Sequence, residues 1–194
     1  MKINIIDKFE EKCFINLDWF YHSTNYDKSK YTSILTEGIK CNQLLNNPWG
    51  GTYNGIYYIS LSKITIPDNE CFLYYSTDRP SLVIDGIEPI KCEDIDGYDD
   101  YIYTKDPRRT GVDDEYQYYY FIKNIYIKGI VYNISRLIED SYRGHQSLLN
   151  LLQLIRLLEE LEVDIPIYDY SRRDKTLVHK INREKLKHYS RELL

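Results

Sequence analysis

The chain has 194 residues, of which 43% are hydrophobic, 14% aromatic and 28% charged, which is typical of a globular domain and excludes a disordered tail or a fibre. Its 25 basic and 30 acidic residues give a net charge of -5, which argues against tight, purely electrostatic binding to a nucleic-acid backbone but allows a local basic groove. No apolar run reaches the length of about eighteen residues that a membrane span needs, and the N-terminal segment is interrupted by acidic residues. We therefore expect a cytoplasmic chain that does not contact a membrane.

The first half of the chain predicts strands separated by loops, with one short helix. Three adjacent aromatic residues in DWFYHSTNYD, residues 18–27, favour a strand. A helix follows, with Ser29 as its cap and Gly38 at its end. The Asn-, Gly- and Pro-rich segment 41–54 predicts a loop, and GIYYISLSK at 55–63 predicts a strand.

The second half changes character near residue 135. Before it, EYQYYYFI at 115–122 and IYIKGIVYNI at 125–134 are rich in β-forming residues. After it, the leucines of HQSLLNLLQLIRLLEELEV at 145–163 recur with helical periodicity, and a second helix begins after Asn182. We therefore predict a β-rich domain at 1–134 and a helical C-terminal extension at 135–194.

The four cysteines give no sign of a metal site. They form no C-x-x-C pair, and no histidine lies beside any of them at the spacing of a ligand pair. The sequence favours buried free thiols. These residues are Cys13, Cys41, Cys71 and Cys92.

Three segments place a polar or titratable residue on an aromatic strand, namely YHST at 21–24, GIYYIS at 55–60 and DDEYQYYYFI at 113–122. Taken singly, each has a structural explanation. His22 alone is typical of a hydrogen-bonded structural histidine, and Glu115 alone of a surface charge at a strand end.

In chain order, however, the three segments resemble the motifs of the ADP-ribosyltransferase family, in the His-Tyr-Glu branch that includes the poly- and mono-ADP-ribosyl polymerases and many bacterial toxins. A strand ending Tyr-His-Ser-Thr and a helix ending Ile-Leu-x-x-Gly-Ile are matched by YHSTNYDKSKYTSILTEGIK at 21–40. The Gly-Ile-Tyr motif is matched at 55–57, and a Glu that begins a strand is matched by Glu115, followed by YIKGI at 126–130. The resemblance covers residues 19–132.

The resemblance implies an α+β fold, a split, twisted β-sandwich of the ADP-ribosyltransferase type. It does not account for residues 135–194, which we expect to form a helical extension packed on this domain. It implies a mono-ADP-ribosyltransferase that moves ADP-ribose from NAD to a macromolecular acceptor and releases nicotinamide. NAD is then a substrate, and no metal is required. The acceptor is most simply a protein, with nucleic acid as the other class, and the setting is that of a bacterial toxin, an effector or a phage-related factor acting in the cytoplasm of the producing cell or of a target cell.

The resemblance also assigns roles to individual residues. Breaking the bond between nicotinamide and ribose passes through an oxocarbenium-like ribosyl cation, which the carboxylate of Glu115 would stabilise. Tyr57 would stack on the nicotinamide ring, and His22 would hydrogen-bond a ribose hydroxyl of the adenosine. The backbone of Ser23 would bind the carboxamide of nicotinamide. The expected NAD-binding residues are His22, Ser23, Thr24, Tyr57 and Ser60.

Two points of the predicted site stay open. A register shift of two residues would put Gln117 in the place of Glu115, and an amide cannot stabilise a cation as a carboxylate does. Upstream, the resemblance implies a preference for arginine side chains in the acceptor, because Asp113 lies two residues before Glu115, where arginine-modifying members of the family carry Glu or Gln. Arg108 and Arg109 would contact the pyrophosphate or an anionic acceptor, or else lie solvated on a loop.

Three other functions fit the same sequence. On the same scaffold the protein would be an NAD glycohydrolase, with water as acceptor, or an RNA 2′-phosphotransferase. A catalytically inactive module that binds a nucleotide or a partner protein is the third, with the leucine-rich helix at 145–163 as the interaction surface. If that helix is not a surface, its leucines pack on the β-rich domain.

Overall fold

The computed structural model describes residues 10–14, 18–46, 58–64, 80–91, 113–132, 142–170 and 177–193. The helices in this part of the chain are α1 (Lys28–Thr36), α2 (Tyr142–Glu160) and α3 (Arg183–Leu193), with a 3₁₀ turn at Asn124–Tyr126. The strands are β1 (Glu10–Phe14), β2 (Phe20–Ser23), β3 (Gly38–Lys40), β4 (Tyr58–Ile64), β5 (Ser81–Ile84), β6 (Ile90–Lys91), β7 (Asp113–Tyr119), β8 (Phe121–Lys123), β9 (Ile127–Tyr132), β10 (Ile167–Tyr170) and β11 (Leu177–Ile181).

Nine of these strands form one sheet in the order β1-β11-β10-β9-β5-β2-β4-β7-β6. Neighbouring strands run antiparallel, except β10 and β9, which run parallel. Strands β3 and β8 form a separate antiparallel pair. The fold is therefore mixed α+β on a mostly antiparallel sheet, and the predicted α+β class is confirmed at this level.

Alternation along β4 separates a core side of the sheet from a polar side. Ile59 and Leu61 are buried, whereas Ser60 between them is exposed and Ser62 is half-buried. Since successive side chains of a strand point to opposite faces, the two serines lie on the face away from the core. Phe20 of β2 lies on the core side, in edge contact with Tyr116 of β7 at 5.1 Å between ring centroids.

The chain passes from the large sheet to the small one through a sharp turn at Tyr120. Its φ of 61° is in the left-handed region, which is uncommon for a bulky side chain, and it separates β7 from β8 directly. Strand β3 then approaches β8 closely at Gly38, where φ is 134° and a Cβ would overlap the carbonyl oxygen of Ile122. Gly38 therefore opens β3 as well as ending α1, and only glycine fits there.

The short helix α1 begins two residues earlier than the Ser29 cap predicts. Its N-cap is Asp27, whose side chain accepts a hydrogen bond from the Lys30 amide at 2.8 Å. At the other end, Asn124 Nδ2 donates to the Thr36 carbonyl at 2.9 Å, so a distant side chain satisfies a carbonyl that the helix leaves open. The helix is thus fixed at both ends.

The leucine-rich helix α2 supplies a large part of the core. Fully burying one such side chain contributes about 1.5–3 kcal/mol. In contrast, Leu149 near its start is 41% exposed. The buried α2 residues, which cluster with the core side of the sheet and with α1, are Leu151, Leu152, Leu154, Ile155, Leu157 and Leu158.

The C-terminal part is more than the predicted helical extension, because it adds two strands to the sheet. Strand β10 pairs in parallel with β9, and β11 joins β10 to the N-terminal strand β1. The sheet therefore runs across the predicted boundary at residue 134. The sequence showed an extended segment at DIPIYDYS but no sign of β11, because its pairing with β1 joins segments far apart in the chain.

Candidate functional site

The three strands that carry the sequence motifs are neighbours in the sheet. Strand β2, with His22, pairs with β4, and β4 pairs with β7, which carries Glu115. One register row joins Tyr21, Ser62 and Glu115 across the three strands. At the usual strand spacing, the backbones at the two ends of that row are roughly 10 Å apart.

The sheet opens between β2 and β4 just beyond this row. Their register covers Phe20 and Tyr21 and does not extend to His22 and Ser23. On its other side, β2 stays paired with β5 through Ser23, and β4 stays paired with β7 along its whole length. The pairing of β2 with β4 therefore ends before His22, and we call this place the opening between β2 and β4.

The side chain of His22 in β2 contacts the backbone of β4 at this opening. Its half-buried ring places Nδ1 at 2.9 Å from the carbonyl oxygen of Ser60. A carbonyl oxygen only accepts, so Nδ1 carries the proton and donates. In the neutral ring, Nε2 is then unprotonated and accepts a hydrogen bond from a hydroxyl or amide group.

The surroundings of His22 keep the ring neutral. Burial lowers the pKa of His22, and the charge of Lys30 lowers it further, against the raising effect of the hydrogen bond to Ser60. The pKa stays below its ordinary value of 6.5. Near neutral pH the ring of His22 is therefore neutral, and its Nε2 can accept a hydrogen bond.

Ser23 and Thr24 are held on the β5 side of β2. The exposed Ser23 has its Oγ 2.7 Å from Oγ of Ser81, a fully buried residue of β5. The Thr24 amide donates to the Pro80 carbonyl at 3.2 Å. The Ser23 side chain is thus engaged with β5 rather than with β4.

Ser60 contributes its backbone to His22 rather than its side chain. Its carbonyl accepts from His22, while its hydroxyl lies on the polar face, opposite to the buried Ile59 and Leu61. The adjacent Tyr58 packs edge-on against Tyr119 of β7, with ring centroids 5.3 Å apart. The predicted polar contact of the Ser60 side chain with the nucleotide stays a prediction.

The remaining predicted residues are placed only in part. Glu115 and Gln117 both lie in β7, where Glu115 pairs with Ser62 and Gln117 with Ser60. Both lie in the strand that pairs with the other edge of β4, one strand away from the opening. Tyr57 and the pair Arg108 and Arg109 lie outside the described residues, as do three of the four cysteine side chains; the fourth, Cys41, is buried and free, as expected.

Two residues that contact β2 or the loop after it were not predicted from the sequence. Ser81, the partner of Ser23, is the one polar residue of the segment SLVI. A polar residue at the start of an apolar strand was the only feature of the sequence that pointed to it. Lys30 contacts the loop after β2 from the first turn of α1. Its role depends on the direction of a long side chain, which a linear pattern does not indicate.

No family model matches the chain, and no curated protein or solved structure is detectably similar to it. Within the described residues, no three His, Cys, Asp or Glu side chains are grouped to hold a metal ion. In the same ranges, no helix is long and apolar enough to cross a membrane.

Proposed function

We propose that this protein is an NAD-dependent mono-ADP-ribosyltransferase with an ADP-ribosyltransferase type of fold. The observation that carries the proposal is the meeting of three distant motifs on adjacent strands, at the point where β2 and β4 separate. Tyr21 and Glu115, from the first and third motifs, share a register row with Ser62 of β4 although they are far apart in the chain. A shared role in one ligand site explains why their motifs occur together in the sequence.

In this proposal, the neutral His22 accepts a hydrogen bond from a ribose hydroxyl of the adenosine through Nε2. The arrangement suits a sugar because the Nδ1 donor is already used by Ser60. The nicotinamide half lies toward the separated backbones of β2 and β4, with Tyr57 as its stacking partner. NAD is a substrate here, and the acceptor is a macromolecule, most simply a protein.

The proposed reaction breaks the bond between C1′ of the ribose and the ring nitrogen of nicotinamide, which leaves with the electron pair. An acceptor atom then bonds to C1′ and loses its proton. The carboxylate of Glu115 stabilises the positive charge that develops on the ribose, and it is the group in β7 that assists loss of the proton. An amide at the same place would not do so.

The experiment is nicotinamide release from NAD by the purified protein, alone and with a cell lysate as a source of acceptors. Glu115→Gln is expected to lower the rate by about a hundredfold or more, since it removes the charge from the site. Asp114→Asn removes a neighbouring carboxylate of the same strand and is the matched control, with a change of less than about threefold.

The possible outcomes separate the candidate functions. Release that depends on the lysate and on Glu115 supports the transferase. Equal release without any acceptor indicates an NAD glycohydrolase. A rate that falls with Gln117→Ala and not with Glu115→Gln would contradict the proposed role of Glu115, and no release at saturating NAD would contradict the proposed function.

A further inference from the structure

Lys30 brings a positive charge to the opening between β2 and β4. Its Nζ lies 3.4 Å from Oγ1 of Thr24 and 3.5 Å from the carbonyl oxygen of Asn25. Both distances are long for hydrogen bonds and both acceptors are neutral, so these contacts place the ammonium without neutralising it. The side chain is exposed, and within the described ranges no carboxylate forms an ion pair with it.

A second lysine in the same helical turn provides the contrast. Lys28 Nζ is 2.8 Å from Glu160 Oε2 of α2, so its charge is paired. The nearby carboxylate of Asp27 is turned to the Lys30 backbone amide, where it caps α1. Of the two ammonium groups, that of Lys30 alone is directed at the segment that follows His22.

Lys30 and His22 lie at the same end of β2, with Lys30 against the two residues that follow Ser23. The charge of Lys30 is close enough to His22 to disfavour protonation of its ring. Nε2 of His22 is therefore a hydrogen-bond acceptor for hydroxyls, and the ammonium of Lys30 is a cation with three donors. A nucleoside diphosphate carries both hydroxyls and phosphates on one ribose, so a single ligand of this class offers a partner to His22 and to Lys30.

We propose that Lys30 binds the diphosphate of the nucleotide whose ribose hydroxyl donates to His22. This inference rests on the proposed function, because it takes NAD as the ligand. It assigns to Lys30 the discrimination between nucleoside diphosphates, such as NAD and ADP-ribose, and nucleosides that lack phosphate. It also places the diphosphate at α1, whereas the sequence suggested Arg108 and Arg109 for that contact.

The test compares the affinity of the full chain for ADP-ribose and for adenosine by calorimetry. Lys30→Gln is expected to weaken ADP-ribose binding about threefold to tenfold, the loss of one exposed charge-assisted contact, and to leave adenosine binding unchanged. Lys30→Arg restores most of the loss, and added salt weakens ADP-ribose binding in the wild type more than in Lys30→Gln. Lys28→Gln is the matched control and changes neither affinity.

An unchanged ADP-ribose affinity in Lys30→Gln, or an equal loss in Lys28→Gln, would overturn the assignment of Lys30 while leaving the proposed function intact. An equal loss of adenosine affinity would do the same, since it would show that Lys30 supports the fold of the site rather than the phosphates. If the wild type binds neither NAD nor ADP-ribose, the proposed function fails, and the role of Lys30 fails with it.

Discussion

His22 has one defined chemical state in this structure, a neutral ring with the proton on Nδ1. The hydrogen bond to the Ser60 carbonyl fixes the tautomer, and burial fixes the charge by lowering the pKa of the ring. The residue therefore offers Nε2 as an acceptor. The sequence predicted His22 as a binding residue. Its tautomer could not be predicted, because it depends on a contact with Ser60, which is 38 residues away in the chain.

This state predicts a pH dependence of NAD binding. The folded-state pKa of His22 lies below 6.5, so affinity should stay constant from about pH 8 to 6.5 and fall at lower pH, as Nε2 gains a proton and ceases to accept. The stability of the fold also decreases at low pH, because the unfolded chain binds a proton at His22 at a higher pH than the folded chain does. The contribution of His22 to the free energy of unfolding is constant above 6.5 and decreases as the pH falls toward the folded-state value.

The measurement is the dissociation constant of NAD between about pH 5 and pH 8, in wild type and in His22→Gln. The glutamine keeps an acceptor that does not titrate, so its affinity should vary less with pH. A wild-type affinity that is flat through the whole range, or that rises on acidification, would contradict the neutral acceptor role.

At the scale of single elements, α2 is where sequence and structure agree most closely. Its leucines recur with helical periodicity, and the predicted helix at 145–163 corresponds to Tyr142–Glu160. The buried face is broad, since Leu154 and Leu157 are buried as well as Leu151 and Leu158. A helix covered by the sheet on one side and by α1 on another needs more apolar positions than a single stripe.

The burial of α2 predicts how its leucines respond to truncation. Leu158 is fully buried, so Leu158→Ala should lower the free energy of unfolding by about 2–5 kcal/mol. Leu149 of the same helix is 41% exposed, and its change to alanine should cost less than about 0.5 kcal/mol. Urea unfolding of both variants checks this; equal, small effects would show that α2 does not pack as described.

At the scale of the whole molecule, a single sheet joins the N-terminal and C-terminal parts. The sequence led us to divide the chain near residue 134, because the composition changes there from β-rich to leucine-rich. Composition reports local preference, whereas the pairing of β10 with β9 and of β11 with β1 depends on contacts between distant segments. The same limit explains why the three motif strands were expected to share a site but their register was not predicted.

This organisation predicts that residues 1–134 do not fold alone. The fragment lacks β10 and β11, which leaves β9 as an open edge, and it lacks the six buried residues of α2. We expect no cooperative thermal transition by circular dichroism for the fragment, against one for the full chain. A cooperative transition of the fragment, with NAD binding retained, would show that the C-terminal part is dispensable for the fold.

The most direct test of the central claim is an NMR titration of NAD into protein labelled with ¹⁵N in its histidines, with His22 assigned through His22→Gln. Near neutral pH, His22 should show one protonated and one unprotonated ring nitrogen, and the unprotonated Nε2 should shift as NAD saturates. An imidazolium signal for His22, or a Nε2 signal that does not move at any NAD concentration, would contradict the assignment of the opening between β2 and β4 as the NAD site.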